Sequence, residues 1–126
     1  MIVLATDTTT ATGSVALCDA NGIRCEAVVR YGRSHAERLL DTADWVLQQS
    51  GVTLADVDLL AVSHGPGSFT GLRIGVSAWK GLAVGAGKPL IGVDTLAALA
   101  AQALPWKGLI IPMLDARMSE VFAAVY

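Results

Sequence analysis

The chain has little of what marks a membrane protein, a secreted scaffold or a nucleic-acid clamp. Only 16% of its 126 residues are charged, with 9 Lys+Arg against 11 Asp+Glu and a formal net charge of −2. That balance gives no electrostatic reason for direct nucleic-acid binding. Two cysteines, Cys18 and Cys25, are too few for a disulfide framework. They read as small buried hydrophobes in a reducing cytoplasm, facing each other across a hairpin turn at Asn21-Gly22. No apolar run reaches the roughly 18–20 uncharged residues of a membrane span, because Lys80 interrupts 74–87 and Asp94 interrupts 89–104. Met1-Ile2-Val3-Leu4 reaches Asp7 with no basic leader, unlike a signal peptide. No metal motif stands out.

What the sequence does have is apolar residues, 53% of the chain. That fraction excludes global disorder, and the length suits one compact domain with its own core. Ile2-Val3-Leu4-Ala5-Thr6 reads as a strand buried on both faces, ending at Asp7. Thr8 to Gly13 is a hydroxyl-rich turn. Strands follow at 14–18 and 23–30, joined through Asn21-Gly22, and Tyr31-Gly32-Arg33 leaves the sheet. Ser34 with Glu37 makes a capping box for a helix over 35–49, stopped by Gly51 in the left-handed C′ position. Its apolar stripe is Ala36, Leu39, Leu40, Ala43, Val46 and Leu47.

Leu59-Leu60-Ala61-Val62 is a fourth strand, and a helix is predicted over 72–86. Ser77, Ala78, Gly81 and Gly85 fall with Ile74 on one side of that helix. Interior glycines cost about 1 kcal/mol each, so this side suits a neighbouring backbone at close range. Leu72, Val76, Trp79 and Ala83 mark a bulkier side. Leu90-Ile91-Gly92-Val93 is a fifth, short buried strand, and Thr95 caps a helix over 96–104 that Pro105 stops. The order βββαβαβα is an α/β layer domain on a mixed five-stranded sheet. After it, 109–115 and 120–126 repeat the opening plan: apolar strand, aspartate, polar turn, apolar strand. The division is therefore residues 1–106 as a first subdomain and 107–126 as the start of a second. A two-stranded hairpin is marginal alone, so 109–126 is expected to pack as an extension or to exchange with another chain, in a longer natural protein.

The most distinctive stretch is Gly65-Pro66-Gly67-Ser68-Phe69-Thr70-Gly71-Leu72-Arg73. A glycine-rich turn ahead of a helix N-terminus could hold an anion. It lacks the lysine of a P-loop, however, and has one residue too many for a dinucleotide fingerprint. The competing reading is a tight strand-to-helix connector. Asp7 could bind hydrated Mg²⁺, but its turn has no phosphate-clamp lysine. In Ser63-His64 and Ser34-His35, adjacency aims the side chains apart, so neither pair is an internal nucleophile–base dyad. Arg73 suits a salt bridge to a neighbouring loop. Trp45 and Trp79 suit the core or, if exposed, partner anchors.

Four blocks in order carry a resemblance: Ile2 to Thr8; Gly65 through Gly75; Gly92-Val93-Asp94-Thr95-Leu96; and Asp115-Ala116-Arg117-Met118-Ser119-Glu120-Val121-Phe122. Together they closely resemble the bacterial TsaB (YeaZ) family. The resemblance implies the actin/Hsp70-like fold of two duplicated RNase H-like subdomains. It further implies a cytoplasmic, non-catalytic subunit in the formation of threonylcarbamoyladenosine on tRNA. The implied partners are the catalytic relative TsaD and the ATPase TsaE, with tRNA reached only indirectly and a homodimer when alone. TsaD's metal-binding histidines follow its fifth strand; here the stretch is Asp94-Thr95-Leu96-Ala97-Ala98-Leu99, with no histidine. No catalytic residue, metal or cofactor is therefore expected, which also counts against a peptidase. The alternative is an ATP-binding or ATP-hydrolysing enzyme using Asp7 and the glycine loop. By resemblance the helix pair meets its partner in a four-helix arrangement, assigned to Leu39, Ala43, Val46, Leu72, Val76, Trp79 and Ala83. The sequence leaves open which stripe faces inward.

Overall fold

The computed structural model describes residues 1–30 and 35–126, with backbone alone for 35–37. The Ser34–Glu37 capping box and the Ser34-His35 pair lie outside the described residues. Strands β1 (Val3–Asp7), β2 (Thr12–Asp19), β3 (Gly22–Arg30), β4 (Leu59–Gly65) and β5 (Leu90–Asp94) form one sheet in the order β3-β2-β1-β4-β5. The β1–β2 and β2–β3 pairings are antiparallel, and the β1–β4 and β4–β5 pairings are parallel. The helices are α1 (His35–Gln49), α2 (Phe69–Ala86) and α3 (Thr95–Ala101), with a short 3₁₀ turn at Leu54–Asp56. This is the expected α/β order on a mixed sheet.

Side chains alternate between the two faces of a strand. Leu4, Val15, Leu17, Leu60 and Val62 share one face and are buried with Leu39, Ala43, Val46, Trp79 and Ala83 of α1 and α2. Asp7, Ser14, Glu26, Val28 and Ser63 have the opposite parity and lie on the other face, where α3 packs on β4 and β5. β4 is therefore covered on both sides, and β1 only on one. In β1, Leu4 and Thr6 are buried while Val3, Ala5 and Asp7 are half-buried, which corrects the expectation of burial on both faces.

β5 is a sheet edge with Ile91 46% exposed, not a buried strand. The first hairpin turn is Ala20-Asn21, because Asp19 pairs with Gly22, and Asn21 N donates to Asp19 Oδ1 at 2.7 Å. A bulge at Leu17/Cys18 sets Cys18 opposite Ile23 and Leu17 opposite Cys25, so the two cysteines do not face each other. Helix α1 ends at Gly51 with φ +62°, the left-handed conformation that glycine adopts without cost. α3 stops three residues earlier than predicted. The turn beyond it tightens to i→i−3 bonds, Ala103 N to Ala100 O at 3.0 Å and Leu104 N to Ala101 O at 3.2 Å.

The last segment forms its own two-stranded sheet, β6 (Met113–Arg117) with β7 (Glu120–Ala123). Ile110 and Tyr126 exchange backbone hydrogen bonds of 3.0 and 2.9 Å beyond it, extending the hairpin. Its tip has three successive left-handed residues, Arg117, Met118 and Ser119, none of them glycine. This hairpin is a sheet separate from the five-stranded one, and the Tyr126 hydroxyl donates to Asp94 Oδ1 at the end of β5 across 3.3 Å.

Candidate functional site

The glycine-rich segment leaves β4 through Gly65 and enters α2, which starts at Phe69 with Ser68 as its N-cap. Gly71 N donates to Ser68 Oγ at 3.3 Å, satisfying one of the first-turn N–H groups. The helix thus begins three residues earlier than predicted, and Phe69, Thr70 and Gly71 are its first turn rather than loop. Against this turn lies the Thr8-Thr9 corner that follows β1. Ser68 N donates to Thr9 O at 2.7 Å, and the buried Thr8 Oγ1 donates to Gly71 O at 2.7 Å.

The glycines make that approach feasible. A methyl at Gly71 would overlap the Thr8 carbonyl oxygen, and one at Gly75 would overlap Thr8 Oγ1. A methyl at Gly67 would stand 2.6 Å from Thr9 Cβ. The space beside Gly71 and Gly75 is filled by Thr8, as a connector requires, while Gly67, Ser68, Phe69 and Thr70 also line a cavity of about 510 Å³ together with Thr9, Thr10 and residues 115–117. Gly81 and Gly85 have nothing within 4 Å, so the close approach occurs at Gly71 and Gly75 and not at the small-residue side.

Asp7 is drawn into the same corner. Its Oδ1 accepts from Thr9 N at 3.0 Å and from Thr9 Oγ1 at 2.9 Å, which fixes the turn. Arg73 is not in a salt bridge among the described residues; its guanidinium lies 5.5 Å from the exposed Phe69 ring centroid, in a cation–π contact. Ser63 is buried and His64 exposed, as their alternation requires. Among the described residues, no three His, Cys, Asp or Glu side chains converge as a metal site would need.

The residues assigned to a partner interface are mostly the core itself. Leu39, Val46 and Trp79 are 0% exposed, and Ala43 and Ala83 are nearly so. Leu72 and Val76 are half-buried, and Leu72 Cδ1 lies 3.4 Å from the Cβ position of Gly65. The apolar stripe of α1 and the bulkier side of α2 face the sheet, where an indole and a leucine lose most water contact. A charge at position 79 would disrupt the fold before it tested a complex.

The stripes are therefore inverted. The small-residue side of α2, with Ser77, Gly81 and Gly85 exposed and Ile74 and Ala78 half-buried, faces outward. Leu40 of α1, 43% exposed, stands between two shallow grooves on this face. The first, about 560 Å³, runs along Arg73, Ile74, Ser77 and Ala78; the second, about 380 Å³, runs along Leu47, Gln48 and Leu82. Leu40 belongs to the predicted stripe of α1, and its place at the edge of that stripe was the available signal. Trp45 is 48% exposed beside Ala27 and Val29 of β3, whereas Trp79 is core.

The family described as TsaD, tRNA N6-adenosine threonylcarbamoyltransferase, matches residues 25–126. The TsaB protein of Escherichia coli is 41% identical over all of this chain and 55% of its own length. YeaZ from Pseudomonas aeruginosa superposes with a TM-score of 0.89 at 38% identity, over 99% of this chain and 59% of that one. The chain belongs to the TsaB (YeaZ) family. It spans about half the length of the curated TsaB relatives it matches. The RuvC of Thermus thermophilus, at TM-score 0.57 and 16% identity over 82% of this chain and 69% of its own, shares the fold alone. A putative N-acetylmannosamine kinase from Listeria monocytogenes does the same at 0.54 and 21%, over 82% of this chain and 39% of its own. These neighbours and the TsaB match agree with an actin-like, RNase H-like α/β unit. The glycine motif of the TsaB resemblance thus corresponds here to the contact between Thr8-Thr9 and the first turns of α2.

Proposed function

We propose that the chain acts in forming N6-threonylcarbamoyladenosine in tRNA, as a non-catalytic subunit that supports a TsaD-like transferase in the cytoplasm. The names of its TsaB relatives support the pathway. The observation that carries the subunit role is the outward face of α1 and α2. Leu40, Ile74 and Ala78 are apolar and partly exposed, and the exposed glycines Gly81 and Gly85 let a partner helix approach closely. The absence of histidine from Asp94 to Leu99 supports a role without metal chemistry of its own. A TsaE-like ATPase is the third member in this reading. The isolated chain pairs with itself through the same face, and tRNA is met only through the complex. Residues 107–126 are read as the start of a second subdomain, consistent with relatives of about twice the length.

The test is association with a TsaD-type transferase by size-exclusion chromatography and calorimetry. Ser77→Glu, which puts a charge on an exposed position of the outward face, is expected to lower affinity at least about tenfold with an unchanged circular dichroism spectrum. Unchanged affinity in that variant defeats the interface assignment. Tight binding of ATP and Mg²⁺ by the isolated chain would instead favour the nucleotide enzyme, a reading that the Thr9-bound Asp7 and the lack of a lysine in the glycine-rich segment do not support.

A further inference from the structure

The five-stranded sheet ends on β3, and among the described residues no strand pairs with its outer edge. An open edge presents a row of free N–H and C=O groups, which natural sheets blunt with short strands, bulges or covering elements. β3 has 9 residues, more than any other described strand. Its one irregularity against β2 falls at Leu17/Cys18, so the stretch 25–30 is regular. Val28 is 65% exposed on one face of it. On the other face, Ala27 and Val29 run beside the exposed Trp45 in a shallow groove of about 390 Å³. Apolar side chains thus flank the open edge on both faces.

The charges on this strand select the occupant. Arg24, Glu26, Val28 and Arg30 are exposed on one face, as strand alternation requires. Arg24 is held by Asp19 at 3.7 Å, whereas neither Glu26 nor Arg30 is in an ion pair among the described residues. Two β3 strands can pair antiparallel about a two-fold axis, and the residue on that axis sets every opposition. Centring on Glu26 opposes two carboxylates, and centring on Ala27 opposes Arg24 to Arg30; like charges directly opposite are unfavourable. Centring on Cys25 draws on the Arg24 that Asp19 holds and sets Arg30 against the turn residue Ala20. Centring on Val28 opposes Glu26 to Arg30 twice, Val28 to itself, and Ala27 to Val29 beside each Trp45. We infer that β3 pairs antiparallel with β3 of a second copy of this chain about Val28, joining the two sheets into one. This contact uses the sheet edge and not the outward face of α1 and α2, so it does not rest on the role proposed above.

The test is sedimentation equilibrium of the chain carrying Ser77→Glu, whose added charge blocks pairing through the outward helix face. This background is expected to dimerise. In it, Glu26→Arg and Arg30→Glu, both at exposed positions, should each weaken the dimer at least about tenfold, because each change acts twice across the axis. The double variant Glu26→Arg, Arg30→Glu exchanges the two charges and should restore the dimer to within about threefold of the background. A merely structural role for either side chain would not give that rescue. The inference is overturned if either single reversal leaves the dissociation constant unchanged, or if the double exchange fails to restore it. A Ser77→Glu chain that stays monomeric up to about 1 mM also overturns it, and leaves self-pairing to the helix face.

Discussion

The Trp79 indole Nε1 donates to the main-chain oxygen of Leu4 across 3.2 Å, tying the middle of α2 to the central strand β1. Both residues are fully buried, so the bond forms where no water competes for it. Trp79→Phe keeps most of the ring and removes the donor, and is expected to cost about 1–2 kcal/mol in urea denaturation. Trp79→Ala adds a cavity and should cost about 3–5 kcal/mol. If Trp79→Phe leaves stability unchanged, the indole bond contributes nothing.

The glycines of α2 divide into two groups with opposite expected responses to alanine. At Gly71 and Gly75 a methyl would overlap Thr8, so Gly71→Ala and Gly75→Ala should each destabilise by more than about 1 kcal/mol. At Gly81, helical and open, Gly81→Ala should stabilise the isolated chain by up to about 1 kcal/mol. Thermal melts of the three variants check the division, and a common sign in all three would refute it.

That division also marks the limit of what could be read beforehand. The strand and helix order follows from short apolar runs, turn residues and caps, signals that act over a few residues. The doubled aspartate-and-turn plan was legible only in part: two hairpins form, but Asp7 ends β1 whereas Asp115 lies inside β6, which starts at Met113 rather than 109 and runs on to Arg117. Which glycine meets a backbone was not legible, because the partner of Gly71 is Thr8, 63 residues away. The inward side of α2 was hidden for another reason. Ile74, Val76, Ala78 and Leu82 all pack partly against the core, so both stripes are apolar and periodicity does not choose between them. β5 looked buried because an edge strand under a helix is as apolar as a central one. The cap of α3 was misplaced by one residue: Asp94, not Thr95, is the N-cap, its side chain accepting from Ala97 N at 2.8 Å, because both residue types suit that position.

The hairpin tip offers a stabilising change. Arg117, Met118 and Ser119 all have positive φ, a conformation that costs a non-glycine residue about 1 kcal/mol or more. Met118-Ser119 joins β6 to β7, and two-residue hairpin turns favour Asn-Gly. The double substitution Met118→Asn, Ser119→Gly should therefore slow amide exchange in Met113–Arg117 and Glu120–Ala123, by up to about tenfold for each 1.4 kcal/mol gained. Faster exchange there would mean that the native side chains stabilise the turn.

Cys18 supplies a dependence on pH. Burial, and after it the negative charge of Asp19, push its thiol above the ordinary value of 9.0. The thiol lies 3.7 Å from the Val3 carbonyl oxygen, where the protonated form can donate. Below pH 9 the thiol is protonated in both folded and unfolded chains, and the group does not change stability with pH. Above it the unfolded chain loses the proton first, so the folded state binds more protons and stability falls as pH rises. Cys18→Ala removes this contribution, and its denaturation midpoint should fall less between pH 8 and pH 10 than that of the parent chain. The same thiol should react with iodoacetamide at pH 8 more slowly than free cysteine, because the nucleophile is the thiolate. Equal slopes in the two chains would show that Cys18 titrates as it does in the unfolded state.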